Sequence, residues 1–205
     1  MFDQLYASYG KRAFDLALAI LGLVVFGPLL LLLALGVRFS SPGPVLFVQE
    51  RLGLGGTTFR VFKFRTMIAR QRSEHSEVWR DNPEVTRLGH VLRRFKLDEL
   101  PQLLNVVRGD MSLVGPRPGL PTQLSEYDEE GRLRLLVRPG LTGLAQVSGN
   151  IFLSWPERWA LDAKYVRRPS LSLDLWILWR TLAVLVRGEQ HYLHRPVDTK
   201  NSKGT

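Results

Sequence analysis

Asp98 and Glu99 are the two side chains in this sequence best suited by type and spacing to do chemistry. They follow Lys96 in a basic stretch and precede Pro101. Proline is tolerated in the first turn of a helix, where backbone N–H groups lack helical partners, so the two carboxylates are predicted to lie at a helix N-terminus. Such a pair could bind a divalent cation and attack a phosphorus atom. The alternative is that two acidic residues merely stabilise the start of a helix.

Basic side chains that could bind phosphate occur on either side of this pair in the sequence. Lys63 and Arg65 lie in or next to a predicted strand, Arg93 lies in a predicted basic helix, and Arg117 is held in the rigid turn Gly115-Pro116-Arg117-Pro118. The planar guanidinium group of arginine matches the geometry of phosphate with two hydrogen bonds. The alternative is that each of these residues belongs to a solvated charged face.

An apolar run near the N-terminus predicts a membrane element. No charged residue lies between Leu16 and Val37, and a helix of that length would measure about 33 Å, enough to cross the hydrocarbon core. Gly27-Pro28 lies near the middle of the run, where proline removes a helical hydrogen bond and favours a kink. Both flanks are basic, so the positive-inside rule gives no orientation. Two topologies stay open: a helix that breaks at Gly27-Pro28 and returns to the cytoplasmic face, and a kinked single span.

The remaining sequence predicts short strands and amphipathic helices. Residues 45–49 and 59–64 are predicted to be strands joined by a glycine-rich turn. Residues 171–187 predict an apolar helix with one narrow polar stripe and with Trp176 and Trp179 on another face. Tryptophans and arginines on such a helix suit the membrane interface, although a core helix of the soluble part fits the same pattern.

Composition excludes several classes of protein. The 205-residue chain has no cysteine and a net charge of +9. The lack of cysteine excludes a disulfide scaffold, a cysteine-ligated zinc site, an iron–sulfur cluster and a thiol nucleophile. The excess of positive charge predicts an anionic partner, such as nucleic acid, anionic lipid or a phosphorylated substrate.

Four motifs give the chain a resemblance to a known family. They are FKFRTM at 62–67, LDELPQLLN at 97–105, GDMSLVGPRP at 109–118 and RPGLTGLAQV at 138–147. In this order they resemble the bacterial sugar transferases, the monotopic phosphoglycosyl transferases that load sugar 1-phosphate onto a polyprenyl phosphate.

The resemblance implies a fold and a division of the chain. We expect a mostly helical α+β monotopic membrane protein with a proline-broken re-entrant helix, a small β element and interfacial amphipathic helices. Residues 1–40 would form the membrane element with its N-terminal flank, residues 41–190 the cytosolic catalytic domain, and residues 191–205 a polar tail.

The resemblance also implies a reaction, at the cytoplasmic face of the bacterial inner membrane. A UDP-sugar binds with Mg²⁺, Asp98 attacks its β-phosphate and expels UMP, and the phosphosugar then passes to a polyprenyl phosphate, which we expect to be undecaprenyl phosphate. Glu99 matches the metal-binding glutamate, with Asp98 beside it. Lys63, Arg93 and Arg117 match basic positions around the phosphates, and Arg65 is expected to join them. Anionic lipid is expected to hold the domain at the membrane.

Other functions account for less of the sequence. A membrane-tethered basic binding protein without catalysis would explain the charge but not the acidic pair within its motif. No nucleic acid partner is expected, because the one aromatic cluster, at residues 59–64, is explained by packing in a strand. A glycosidase needs two carboxyl groups several ångströms apart, which adjacent residues do not naturally supply. Relatives often carry arginine at the position of Asn150, so no phosphate contact is carried over to that residue.

Overall fold

The computed structural model describes Tyr6, residues 10–68 and residues 83–187. The predicted tail at 191–205 lies outside the described residues. The helices are α1 (Lys11–Ser40), α2 (Arg87–Arg94), α3 (Leu103–Arg108), α4 (Glu129–Leu133), α5 (Leu144–Ser148), α6 (Trp155–Arg167) and α7 (Leu171–Arg187), and the strands are β1 (Leu46–Leu52), β2 (Thr58–Phe64), β3 (Ser112–Val114) and β4 (Gly140–Thr142). These elements confirm the mostly helical α+β fold.

The membrane helix α1 runs without interruption from Lys11 to Ser40, with Pro28 inside it. The predicted break at Gly27-Pro28 is therefore not a gap in the helix: α1 continues through Pro28, although proline has no N–H to donate and its ring crowds the carbonyl group one turn earlier. Among the described residues, α1 is the one helix long and apolar enough to cross a membrane. Val24, Val25 and Leu32 on it are exposed, as expected for a surface that faces lipid. The return of the chain to one membrane face stays a prediction.

The N-terminal end of α1 is fastened to the rest of the protein by two basic side chains. Arg12 donates hydrogen bonds to the carbonyl oxygens of Val106, at 2.7 Å, and Val107, at 3.0 Å, near the C-terminus of α3. Lys11 lies 2.8 Å from the carboxylate of Asp174 on α7, which is fully buried. The start of the membrane helix therefore docks onto two elements of the catalytic part.

The C-terminal end of α1 is fastened to the same part by Arg65. This side chain is buried and donates to the carbonyl oxygens of Val37, Ser41 and Pro44, with 3.2 Å between its Nη2 and the oxygen of Val37. Carbonyl groups at the end of a helix lack helical donors, so a guanidinium group there satisfies several of them at once. Arg65 thus caps the membrane helix, and the expectation that it binds substrate phosphate stays a prediction.

Two small sheets hold the chain around the core. β1 and β2 pair antiparallel from Leu46 opposite Phe64 to Leu52 opposite Thr58, and β3 and β4 pair in parallel. The turn of the hairpin contains Gly55 and Gly56 with φ of 67° and 78°, a backbone region that glycine enters without steric cost. The predicted hairpin is confirmed, and it extends further along β1 than the sequence indicated.

One hydrophobic core joins the membrane helix to the catalytic part. Its members from α1, β2, α3, β3 and α7 include Ala19, Val61, Val106, Val114 and Ile177, all almost fully buried. The membrane helix therefore contributes to the core and is not a detachable anchor.

Helix α7 has the bounds that the sequence predicted. Asp174 and Ile177 face inward and are fully buried, whereas Trp176 and Trp179 are exposed. An outward face with two tryptophans is typical of a helix that lies in the membrane interface.

Replacing Arg65 by lysine should destabilise the fold. Lysine keeps the charge but cannot reach three carbonyl oxygens with one planar group, and unpaired buried acceptors cost about 1–3 kcal/mol each. We expect the unfolding temperature in detergent to fall by about 5 °C. The matched control is Arg60→Lys on β2, where the side chain is exposed and little change is expected. Equal unfolding temperatures for the two variants would contradict the capping role of Arg65.

Candidate active site

Asp98 and Glu99 lie in the first turn of a short 3₁₀ helix, Leu97–Gln102, that leads directly into α3. The turn begins after Lys96, whose φ of 56° places it in the left-handed region and redirects the chain after α2. Pro101 lies within this 3₁₀ helix. The sequence prediction of a helical start at the acidic pair is confirmed.

Glu99 is buried between two cations that come from different parts of the chain. One of its carboxylate oxygens lies 2.8 Å from Nζ of Lys63 on β2 and 2.7 Å from Nη2 of Arg117. Burial alone would raise the pKa of Glu99, but Arg117 and Lys63 together outweigh burial and hold it well below its usual range. Glu99 is therefore ionised at neutral pH and fixes the two basic groups beside Asp98.

Asn105 explains why β2 presents Lys63 to this site. Its buried amide accepts a hydrogen bond from the backbone N–H of Phe62 at 3.1 Å and donates to the carbonyl oxygen of Arg60 at 2.7 Å. One side chain of α3 thus takes the place of a neighbouring strand along β2. Lys63 follows immediately, so its position relative to Glu99 depends on this contact.

Backbone contacts fix the turn that carries Arg117. Each carbonyl oxygen from Pro116 to Gly119 accepts a hydrogen bond from another element: the donors, in order, are Gly140 N–H, the guanidinium group of Arg134, the guanidinium group of Arg51 and Leu52 N–H. The prolines on either side of Arg117 have no N–H to satisfy. These contacts hold the turn in one backbone conformation, and Arg117 projects from it.

Asp98 differs from Glu99 because one of its carboxylate oxygens, Oδ1, is buried without a hydrogen-bond partner. Burial raises the pKa of Asp98 and the adjacent Glu99 raises it further, whereas Lys63, Lys96 and Arg93 oppose the rise. A desolvated carboxylate that is not consumed by hydrogen bonds is suited to act as a nucleophile or as a ligand. Asp98 is therefore the member of the pair whose carboxylate is not engaged, and Glu99 is the anchored one.

Arg93 reaches the edge of the same site from α2. Its Nε donates to the hydroxyl group of Thr66 at 2.9 Å, and its charge lowers the pKa of Asp98. Lys63, Arg93 and Arg117 thus approach the acidic pair from three separate segments, which makes a positively charged lining suited to a polyanionic ligand.

Comparison with known proteins shows where this arrangement belongs. Residues 6–188 match the family described as bacterial sugar transferase. The chain belongs to this family. The exopolysaccharide production protein ExoY of Sinorhizobium fredii is 41% identical over 198 residues, which cover 89% of this chain and 88% of that protein.

Two further relatives are named by their reactions. The UDP-glucose:undecaprenyl-phosphate glucose-1-phosphate transferase of Caulobacter vibrioides is 44% identical over 191 residues, covering 89% of this chain and 72% of that protein. The UDP-N-acetylgalactosamine-undecaprenyl-phosphate N-acetylgalactosaminephosphotransferase of Aeromonas hydrophila is 37% identical over 185 residues, covering 87% of this chain and 44% of that protein.

In this sugar transferase the structure also identifies site residues that sequence reasoning missed. Arg51 supports the Arg117 turn through Pro118, and burial together with the nearby Arg117 lowers the pKa of Arg51 to about 10. The predicted strand ended at Gln49, two residues before Arg51, so nothing in the pattern placed that side chain at the site. Arg134 lay in no motif that the sequence analysis used.

The acidic pair fits a divalent cation by the chemistry of its donors. Mg²⁺ in phosphoryl-transfer sites takes one or two carboxylates and completes its shell with water and substrate phosphates. Asp98 offers a buried oxygen without a hydrogen-bond partner, and the second oxygen of Glu99 has only a 3.4 Å contact with Arg117. Within the described residues, no group of three or more histidine or acidic side chains is arranged so that it could hold a metal ion.

Replacing Glu99 by glutamine should destabilise the protein at neutral pH. The folded-state pKa of Glu99 is depressed, so its ionised form stabilises the fold above the unfolded-state pKa, and that contribution is lost as the pH falls. We expect Glu99→Gln to lose about 3 kcal/mol at pH 7, the usual cost of breaking a buried ion pair.

The difference in unfolding free energy between wild type and Glu99→Gln should narrow as the pH falls below 4.5. Denaturant unfolding across this pH range measures it. Glu130→Gln, which removes an exposed ion pair with Arg167, is the control and should change stability little at any pH. A pH-independent difference for Glu99→Gln would show that the charge of Glu99 is not what stabilises the fold.

Proposed function

We propose that this sugar transferase moves sugar 1-phosphate from a UDP-sugar to a polyprenyl phosphate, undecaprenyl phosphate, and releases UMP. The observation that carries the proposal is the asymmetry of the acidic pair. Glu99 is held by two cations, whereas Asp98 keeps a buried oxygen free of hydrogen bonds. The reactions printed in the names of the Caulobacter and Aeromonas relatives support the choice of donor and acceptor.

The reaction proceeds in two displacements at one phosphorus atom. A carboxylate oxygen of Asp98 attacks the β-phosphorus, the bond from that phosphorus to the bridging oxygen breaks, and UMP leaves with that oxygen. The phosphosugar is then an acyl phosphate on Asp98. An oxygen of the polyprenyl phosphate attacks the same phosphorus, the bond to Asp98 breaks, and the free carboxylate returns. A covalent intermediate lets a soluble donor and a lipid acceptor react in turn at one site.

The basic residues offset the repulsion between the pyrophosphate and the carboxylate nucleophile. Arg117 and Lys63, fixed by Glu99, and Arg93, fixed by Thr66, are suited to bind phosphate oxygens. Asp98 and Glu99 are the residues that would hold Mg²⁺, which when bound neutralises charge on the phosphates. Glu99 has a second task, because it keeps Lys63 and Arg117 in place.

We further propose that α1 enters and leaves the membrane on the cytoplasmic face of the inner membrane. A straight helix of 30 residues is about 45 Å long, and a single span would separate its ends by the whole bilayer. The contacts of Arg12 with α3 and of Arg65 with the end of α1 support a common side for both ends. The missing hydrogen bond at Pro28 gives the helix a place to bend.

Anionic lipid is the proposed third partner. Arg60, Arg108 and Arg138 are exposed, and Arg138 donates to the carbonyl oxygen of Gly109 at 2.9 Å, one turn from the α3 carbonyl groups that Arg12 contacts. Gly109 itself lies next to Arg12, so Arg138 is near the start of the membrane helix, where an anionic headgroup attracts an arginine by about 1 kcal/mol.

Replacing Asp98 by asparagine should abolish UMP release while the fold persists. The amide cannot form the acyl phosphate, so we expect a loss of more than a thousandfold, or about 4 kcal/mol of barrier. The assay measures UMP released from a panel of UDP-sugars in detergent with Mg²⁺ and undecaprenyl phosphate, and mass spectrometry tests wild type for a phosphosugar on the Asp98 peptide.

The matched control for Asp98→Asn is Asp128→Asn. Asp128 caps α4, and asparagine caps a helix as well as aspartate does, so this variant should keep wild-type activity. If Asp98→Asn kept more than a tenth of the rate, Asp98 would not be the nucleophile. If wild type released no UMP from any UDP-sugar, a non-catalytic basic binding protein would be the better account.

Cysteine labelling tests the topology of α1. The chain has no native cysteine, and Ala13 and Ser40 are exposed near the two ends of the helix. We expect Ala13→Cys and Ser40→Cys to react with an impermeant maleimide only after spheroplasts are opened. Adding Pro28→Ala should straighten the helix and make Ala13→Cys reactive in a fraction of intact spheroplasts. Labelling of Ala13→Cys in intact spheroplasts without that change would establish a single span.

A further inference from the structure

Arg134 is a buried arginine with three partners that belong to three different segments. Its Nε lies 2.9 Å from a carboxylate oxygen of Asp162 on α6, its Nη1 donates to the hydroxyl group of Tyr127 at 3.0 Å, and its Nη2 donates to the backbone carbonyl oxygen of Arg117. The guanidinium group also lies over the ring of Tyr127, 5.2 Å from the ring centre. Arg134 thus links α6 to the turn that carries Arg117.

The Arg134–Asp162 pair has no place in the proposed chemistry. Both side chains are buried, with exposed fractions of 7% and 3%, and neither contacts Asp98 or Glu99 among the described contacts. A buried ion pair is a poor source of stability, because desolvation of the charges offsets much of their attraction. Its cost is explained if the pair serves the site through the backbone of Arg117.

We propose that Arg134, held by Asp162 and Tyr127, is a positioning residue that orients Arg117 toward the pyrophosphate of the sugar nucleotide. The inference rests on the proposed function, because it assigns Arg117 to substrate phosphate. Arg117 is 43% exposed, so its direction depends on two constraints: the ion pair with Glu99 at its tip and the backbone of the turn from which it projects.

The surroundings of the turn support this dependence. A crevice of about 10 Å³, room for about one water molecule, lies beside the turn and is lined by residues 116–119 together with Leu52, Tyr127, Arg134, Leu135 and Pro139. The hydrogen bond from Arg134 is made to the carbonyl oxygen of Arg117 itself. Loss of this donor would remove a buried contact at that residue and allow the turn to shift toward the crevice.

The carboxyl group of Asp162 makes the orientation of Arg117 by Arg134 depend on pH. Burial raises the pKa of Asp162 to about 6, against the opposing charges of Arg134 from the adjacent segment and Arg158 from its own helix. Tyr127 is the other titratable group that interacts with Asp162, and its own pKa is raised, chiefly by burial. Above pH 6 the carboxylate pairs with Arg134, and below pH 6 it is neutral and holds Arg134 less firmly. The KM for the UDP-sugar should therefore rise as the pH falls from 7 to 5.

Protonation of Asp162 weakens its hold on Arg134 but increases the free energy of unfolding. The folded-state pKa of Asp162 lies above its unfolded value, so protonation through this group favours the folded protein as the pH falls through 6. A rise in KM on the acid side that came from Asp162 would therefore not be accompanied by unfolding through that group. This separates a positioning role from a general loss of structure.

The test is steady-state UMP release by the full chain in detergent, with wild type, Asp162→Asn, Tyr127→Phe and Arg167→Gln. Asp162→Asn should raise the KM for the UDP-sugar about tenfold and change kcat less than threefold, and it should remove the rise in KM between pH 7 and 5. Tyr127→Phe, which deletes only the hydroxyl contact, should raise KM by a smaller factor. Arg167→Gln removes a different ion pair of α6, with Glu130 on α4, and should behave as wild type.

A double-mutant cycle decides whether the effect passes through Arg117. In an Arg117→Ala background, Asp162→Asn should cause no further rise in KM, because the group that it positions is gone. An additional tenfold rise in that background, or an unchanged KM in both Asp162→Asn and Tyr127→Phe, would overturn the inference while leaving the proposed function intact. If Asp162→Asn does not fold, Tyr127→Phe carries the cycle. Absence of UMP release from wild type would overturn the proposed function, and the inference with it.

Discussion

The ion pairs of Glu99 are the interaction on which the rest of the site depends. One buried carboxylate contacts Lys63 from β2 and Arg117 from the proline-rich turn, and its own position is set by the 3₁₀ helix that leads into α3. Three segments that are far apart in sequence therefore meet at one pair of oxygen atoms. This arrangement leaves Asp98, the preceding residue in the chain, as the carboxylate without a structural task. In the proposed mechanism, this difference between two adjacent acidic residues keeps one carboxylate available as the nucleophile in a basic pocket.

Several arginine side chains of this protein donate hydrogen bonds to its own backbone carbonyl groups. Arg12, Arg65 and Arg134 each donate to backbone oxygens at helix ends or turns. A net charge of +9 predicted an anionic partner, and the lining of the site agrees with that prediction, but composition does not distinguish an arginine that binds phosphate from one that caps a helix. Arg65 illustrates this point, since it lies two residues from Lys63 in one motif and donates to carbonyl oxygens at the end of the membrane helix.

The features that the sequence predicts depend on residues close together in the chain, whereas those it does not predict depend on residues far apart. The hairpin, the bounds of α7 and the helical start at Asp98 were predictable, because alternation, apolar spacing and the chemistry of proline act within a few residues. The neighbourhood of Lys63, Arg93 and Arg117 followed from the family resemblance. The roles of Arg51 and Arg134 were not predictable, because a side chain that donates to a carbonyl group leaves no repeating pattern: any residue offers the acceptor. The continuous helix at Pro28 shows the same limit, since a single missing hydrogen bond does not decide between a bend and a break.

The contacts at the two ends of α1 form at different times during synthesis of the chain. Arg65, which caps its C-terminal end, follows within a few tens of residues, but the carbonyl groups that Arg12 contacts lie 94 and 95 residues further on and Asp174 lies 163 residues after Lys11. At ordinary rates of translation, roughly ten seconds or more separate the emergence of Lys11 from that of its partner. Throughout that interval the apolar helix lacks the core to which it belongs, and a bilayer would bury its apolar surface during the wait. Insertion into the bilayer would then begin before the catalytic part can fold, and the core would close only after α7 has emerged.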